Sequence, residues 1–160
     1  MLVASEISKW SNRYVVSRDG RRVTTLDAVV RDNSSGSFTL DGRRYSLPGA
    51  VWDTRFGVLD ARNEVVAEAT RVNRECWAIS HAGQAYHLRR MSIWGTRHQL
   101  DAGDLPLGMA YRTGGADRAV ELDVAGAPPL VEIFVLALVI AMRDAQAANK
   151  IGYRSGSLWW

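Results

Sequence analysis

From about Trp10 to Leu122, apolar positions come in short runs of β-branched and aromatic residues broken by turn residues, the spacing of an all-β barrel or sandwich. Tyr14-Val15-Val16-Ser17 and Arg22-Val23-Thr24-Thr25 flank Asp19-Gly20, and Ser37-Phe38-Thr39-Leu40 and Arg43-Arg44-Tyr45-Ser46-Leu47 flank Asp41-Gly42. Asp-Gly suits a tight hairpin because both central residues of that turn take positive φ. Two further hairpins are predicted, 56–59 with 64–69 and 76–80 with 84–88, and candidate strands follow at 92–94, 97–100, 108–112 and 119–123, the last two joined at Gly114-Gly115. A meander of roughly ten to twelve strands is the simplest path.

The pattern then changes. Leu130-Val131-Glu132-Ile133-Phe134-Val135-Leu136-Ala137-Leu138-Val139-Ile140-Ala141-Met142 is almost wholly apolar, and Pro128 and Pro129 precede it. Proline is tolerated in a first helical turn, where its missing N–H would have no partner, and Glu132 suits the positive end of the helix dipole. A helix over about 130–149 is therefore expected, roughly 30 Å long. Apolar on every face, it must be surrounded by protein or by lipid. The uncharged part, Ile133 to Met142, is shorter than the roughly 18 residues of a convincing span, which leaves the strands as the surround.

A closed sheet of about eight strands is filled by its own side chains, whereas eleven or twelve leave room for a helix about 10 Å across. The expected fold is thus mainly β with one helix: a roughly twelve-stranded closed antiparallel barrel around a central hydrophobic C-terminal helix. One domain is expected over 1–152, with an aromatic tail over 153–160.

Composition changes this picture little. The 160 residues are 47% hydrophobic and 23% charged, ordinary for a globular domain, and the net charge is +3. The cations are arginine apart from Lys9 and Lys150, the single Cys76 excludes an internal disulfide, and residues 1–6 lack the pattern of a secretory leader. A cytoplasmic location, peripheral to the membrane, is expected, and an integral membrane protein is not.

No catalytic constellation stands out. His81, His87 and His98 lack zinc spacing, Cys76 lacks an identifiable base, and the pairs Asp101/Asp104 and Glu64/Glu68 read as surface acids. The glycines at 114, 115 and 126 lack the strand and helix context of a phosphate loop. No metal, cofactor, enzymatic activity or nucleic-acid partner is expected. The candidates for anion contact are Arg18, Arg21, Arg22, Arg43, Arg44, Arg89 and Arg90, and the candidates for an interface are Trp159 and Trp160.

The hairpins around Trp52, Phe56-Gly57-Val58-Leu59-Asp60 and Val65-Val66-Ala67-Glu68-Ala69-Thr70-Arg71, then Gly83-Gln84-Ala85-Tyr86 and the helix Leu130 to Met142, resemble the tubby C-terminal-like superfamily. That superfamily includes phospholipid scramblases and the LURP-one-related proteins. The resemblance, over roughly Tyr14 to Asn149, implies a twelve-stranded barrel around a central helix and an association with phosphoinositides or other membrane lipids. The chain departs from scramblases in having neither a cysteine-rich segment nor an acidic calcium loop. The expected function is a non-enzymatic module for anionic phospholipid head groups. The alternative is a protein-interaction or structural barrel that binds a protein partner or forms oligomers.

Overall fold

The computed structural model describes residues 1–8, 11–28, 35–48, 55–91, 96–113 and 119–155, with side chains of the last segment described as far as Arg143. Twelve strands precede one helix: β1 Leu2–Ser8, β2 Ser11–Arg18, β3 Arg21–Asp27, β4 Gly36–Leu40, β5 Arg43–Leu47, β6 Arg55–Leu59, β7 Val65–Arg71, β8 Cys76–His81, β9 Gln84–Arg90, β10 Arg97–Ala102, β11 Leu105–Arg112, β12 Ala119–Val124 and α1 Pro129–Ser155. Each strand pairs antiparallel with its neighbours in sequence, and β1 pairs with β12, so the sheet is a closed barrel with no free edge.

The turns follow the sequence signals. Asp19-Gly20 and Asp41-Gly42 both have positive φ at the two central positions, as a type I′ hairpin turn requires. Ala82-Gly83 adopts the same conformation with an alanine in place of the aspartate. Between β6 and β7, Asp60 accepts hydrogen bonds from the backbone N–H groups of Arg62 and Glu64 at 2.8 and 3.0 Å and so closes its own loop. These turns, and the start of α1, gather at one end of the barrel, the turn end. The helix leaves through the opposite, exit end.

Alternate residues of each strand fill the interior. Leu2, Ala4, Tyr14, Val16, Leu26, Phe38, Leu47, Phe56, Val58, Ile79, Leu88, Leu100, Val120 and Leu122 are buried against helix residues Leu130 to Ala141. Small residues make room for the helix where large ones would collide with it: Ala4, Ala67, Ala69 and Ala110 all face inward and are buried. Phe56 stacks on Phe134 with ring centroids 5.6 Å apart. Gly108 is required where β11 crosses closest to β12. A Cβ there would lie 2.0 Å from the Asp123 carbonyl oxygen.

The barrel-and-helix expectation holds, with two differences. Strand β1 lies outside the segment read as strands, yet Leu2 opposite Leu122 and Ala4 opposite Val120 make the pairing that closes the barrel. The helix runs to Ser155 rather than stopping near Asn149, because Gly152 alone does not break a run rich in alanine and glutamine; residues 153–155 are therefore helical, and Trp159 and Trp160 lie outside the described residues. The candidate strand 92–94 and the turn at 114–115 also lie outside them, as does Trp52. Among the described residues no helix is long and apolar enough to cross a membrane.

Two seams of the wall are thin. Among the described residues β3 pairs with β4 only at Leu26/Phe38 and Asp27/Ser37, and β5 pairs with β6 only at Ser46/Leu59. Beyond Leu26 the Thr24 hydroxyl donates to the Thr39 carbonyl at 2.6 Å, a side chain serving where a ladder N–H would otherwise serve. A register shift in the β2–β3 ladder next to Val16 leaves Val23 without a partner on β2 and exposed.

Candidate anion sites

The strand pleat sorts the seven candidate arginines. Neighbouring residues of a strand face opposite sides of the sheet, so each adjacent pair is split. Arg22, Arg44 and Arg89 face the outer wall. Arg21, Arg43 and Arg90 have the parity of the interior residues and sit at its two mouths, Arg21 and Arg43 exposed at the turn end and Arg90 half-buried at the exit end. Arg18, also inward in parity, reaches the helix at the turn end and pairs with Glu132 at 2.9 Å. Glu132 is buried, so this ion pair fixes the first turn of α1 against β2.

Arg22 and Arg44 come together. The splayed β3–β4 seam opens an outer cleft of about 400 Å³ lined by Arg13, Arg22, Arg44, Thr25, Thr39 and Asp27. Arg22 donates to the Thr25 hydroxyl. Arg13 is tied to Asp27 at 2.8 Å, and Asp27 also accepts from Ser37 at 3.5 Å. At the rim stands Ile7, 53% exposed. The cleft thus offers guanidinium forks and hydroxyl donors to an oxyanion beside an exposed apolar side chain.

Arg89 belongs elsewhere. Its Nε donates to Asp101 at 2.7 Å, and Gln99 donates to the other carboxylate oxygen at 2.6 Å, so the buried Asp101 is fully held by its neighbours on the outer wall. Cys76 lies opposite Arg89 on the same face, half-buried; burial pushes its thiol up, against the pull of Arg89. A thiol held protonated is a poor nucleophile. His81 shares the inward parity of Trp77 and Ile79, and its Nδ1 donates to the Val66 carbonyl at 2.7 Å, whereas His87 has the opposite parity; the two do not face each other. Among the described residues no group of three or more His, Cys, Asp or Glu is placed to hold a metal.

Arg90 joins residues that the sequence does not mark as anion contacts. At the exit end it lies opposite His98 on β10; His98 lies opposite Ala110 on β11, two residues before Arg112. All three have interior parity. From the helix Arg143 donates to the Tyr14 hydroxyl, with its guanidinium 5.7 Å from the ring centroid. His98 is 4% exposed. Burial, with Arg112 and Arg90 close by, pushes its pKa down to about 4, so the imidazole is neutral at pH 7. Burial, Arg90 and Arg143 likewise lower Arg112. The Nδ1 atom of His98 is buried without a hydrogen-bond partner, while Arg90, Arg112, Arg143 and Tyr14 all have further contacts. The signal for this cluster was the two-residue period itself: Leu88 to Arg90, Leu100 to His98 and Ala110 to Arg112 each continue a buried face.

Fold and sites together define a closed β-barrel plugged by its own C-terminal helix and bearing basic clusters on its wall and at one mouth. The chain matches no known protein family, no curated protein and no solved structure.

Proposed function

We propose that the protein is a non-enzymatic binding module for anionic phospholipid head groups, which it takes into the outer cleft between β3 and β4. The observation that carries this reading is the meeting of Arg22 and Arg44, from two different hairpins, in one cleft with the Thr25 and Thr39 hydroxyls and an exposed Ile7 at the rim. Arginine forks match phosphate oxygens, and each basic residue near an anionic membrane contributes about 1 kcal/mol. The resemblance to the tubby C-terminal-like superfamily, with its twelve-stranded barrel and central helix, supports the same reading.

Flotation with liposomes tests it. The protein is expected to float with phosphoinositide-containing vesicles and not with neutral phosphatidylcholine vesicles, and to be released as salt rises toward 0.5 M. The Arg22→Ala, Arg44→Ala double variant should remain unbound while melting at the wild-type temperature. Equal flotation of the double variant, or no flotation of the wild type, would sink the proposal and favour a protein partner.

A further inference from the structure

On the reading of the β3–β4 cleft as an anion site, we infer that it selects a phosphate monoester carried on a polyol, with Arg22 and Arg44 on the phosphate and Asp27 and Ser37 on the neighbouring hydroxyls. Strand pairing places these side chains: Asp27 lies opposite Ser37 across the β3–β4 seam, and Arg44 lies opposite Thr39 in the next hairpin. All of them line one cavity of about 400 Å³, within the usual range of small-molecule sites.

The cleft has two unlike halves. Toward the turn end stand Arg22 and Arg44, and among the described residues neither is paired with a carboxylate. The Thr25 hydroxyl accepts from Arg22 and so keeps its own proton for a phosphate oxygen. Toward the exit end Asp27 takes Arg13 on one carboxylate oxygen at 2.8 Å and Ser37 on the other at 3.5 Å. A carboxylate accepts at about four positions, so Asp27 keeps capacity for further donors. Because Arg13 already balances its charge, Asp27 suits a hydroxyl better than an ammonium group, which would also meet the Arg13 guanidinium. Thr25 and Asp27 share one face of β3 two residues apart, roughly 7 Å along the strand, a span that a polyol attached to the phosphate bridges.

The charge fits a monoester. Arg13, Arg22 and Arg44 against Asp27 leave the lining with a net charge of +2. A phosphate monoester carries roughly −1.5 to −2 at pH 7 and offers three oxygens to the guanidinium forks, where a diester carries a single charge and offers two. The polyol phosphate can be a lipid head group or a free sugar phosphate.

The test measures, by calorimetry on the full chain, the affinity for inositol 1-phosphate, methyl phosphate and inositol. In parallel, flotation compares vesicles containing phosphatidylinositol 4-phosphate with vesicles containing phosphatidic acid at matched charge. Inositol 1-phosphate is expected to bind about tenfold tighter than methyl phosphate, the gain from hydrogen bonds to Asp27 and Ser37, and inositol alone should not bind. Asp27→Ala frees Arg13, so methyl phosphate should bind more tightly while the preference for the inositol ester disappears, a combination that a merely structural role would not produce. Ser37→Ala leaves the Arg13–Asp27 pair in place and should cut the preference about threefold; it decides if Asp27→Ala does not fold. Flotation that favours the phosphoinositide assigns a head group. The same preference in calorimetry without flotation assigns a free polyol phosphate, which supports the inference and removes the membrane reading alone. Equal affinity of the wild type for inositol 1-phosphate and methyl phosphate overturns the inference while flotation keeps the membrane reading, as does a preference that survives Asp27→Ala and Ser37→Ala; no binding of any probe overturns both.

Discussion

The two mouths of the barrel solve the same problem differently. At each, the apolar helix passes from a dry interior toward water, and polar side chains must close the gap. At the turn end one buried carboxylate, Glu132, meets one arginine, Arg18, at 2.9 Å. At the exit end Arg90 and Arg112 lie beside a neutral histidine, His98, and Arg143 lies close to Arg112. The first mouth is closed by an ion pair, whereas the second holds a buried imidazole that burial and two nearby guanidinium groups keep neutral.

The largest effect expected from breaking this contrast lies at the balanced end. Arg18→Ala leaves the Glu132 carboxylate buried without its partner and should cost about 3 kcal/mol, at the low end for a broken buried pair because Arg18 is itself partly solvated. The double variant Arg18→Met, Glu132→Leu removes both charges and should recover most of that loss in a urea melt. A loss in the double variant equal to that of Arg18→Ala would show that the pair contributes packing rather than charge balance.

Acid should act mainly on the other end. The folded protein keeps His98 neutral down to about pH 4, whereas the unfolded chain protonates it near 6.5. Between these values the unfolded state binds more protons, so stability falls as the pH falls, and no stability is lost through His98 above about pH 7. The loss should reach about 2 kcal/mol by pH 5. Urea midpoints at pH 7.5 and 5.0 measure it, and His98→Gln should flatten the difference by that amount. An unchanged pH dependence in His98→Gln would mean that other groups carry the acid sensitivity, and the exit end would lose its distinction.

Why one mouth was legible in the sequence and the other was not follows from the pleat. Hairpins with Asp-Gly turns announce themselves because few residues tolerate positive φ, and the helix is marked by prolines, Glu132 and an unbroken apolar run. Strand β1 is hidden: Leu2-Val3-Ala4-Ser5 is a short alternation of small residues, and its significance comes from β12, more than a hundred residues away. Adjacency in sequence suggests that Arg89 and Arg90 share a surface, yet on a strand adjacency guarantees separation. Arg89 went to Asp101 outside and Arg90 to His98 inside. That Arg22 and Arg44 would meet depends on the thin seam between β3 and β4 and on the register shift that sets the face of Arg22, which no local motif announces.

The smallest change offers a control for the whole comparison. Among the turns between β2 and β3, β4 and β5, and β8 and β9, the last alone places alanine, Ala82, at the first left-handed position, with φ 49°. A Cβ crowds the backbone there, and asparagine relieves the strain by tolerating that region. Ala82→Asn should therefore raise stability by about 0.5 kcal/mol, read as a melting temperature higher by a degree or two. The substitution lies at the turn end, away from His98, so the acid loss carried by His98 should add to it without change, because sites that share no contacts contribute independently. If the acid loss between pH 7.5 and 5.0 changed along with the substitution, the two ends of the barrel would be coupled, and the contrast between its mouths would not be local.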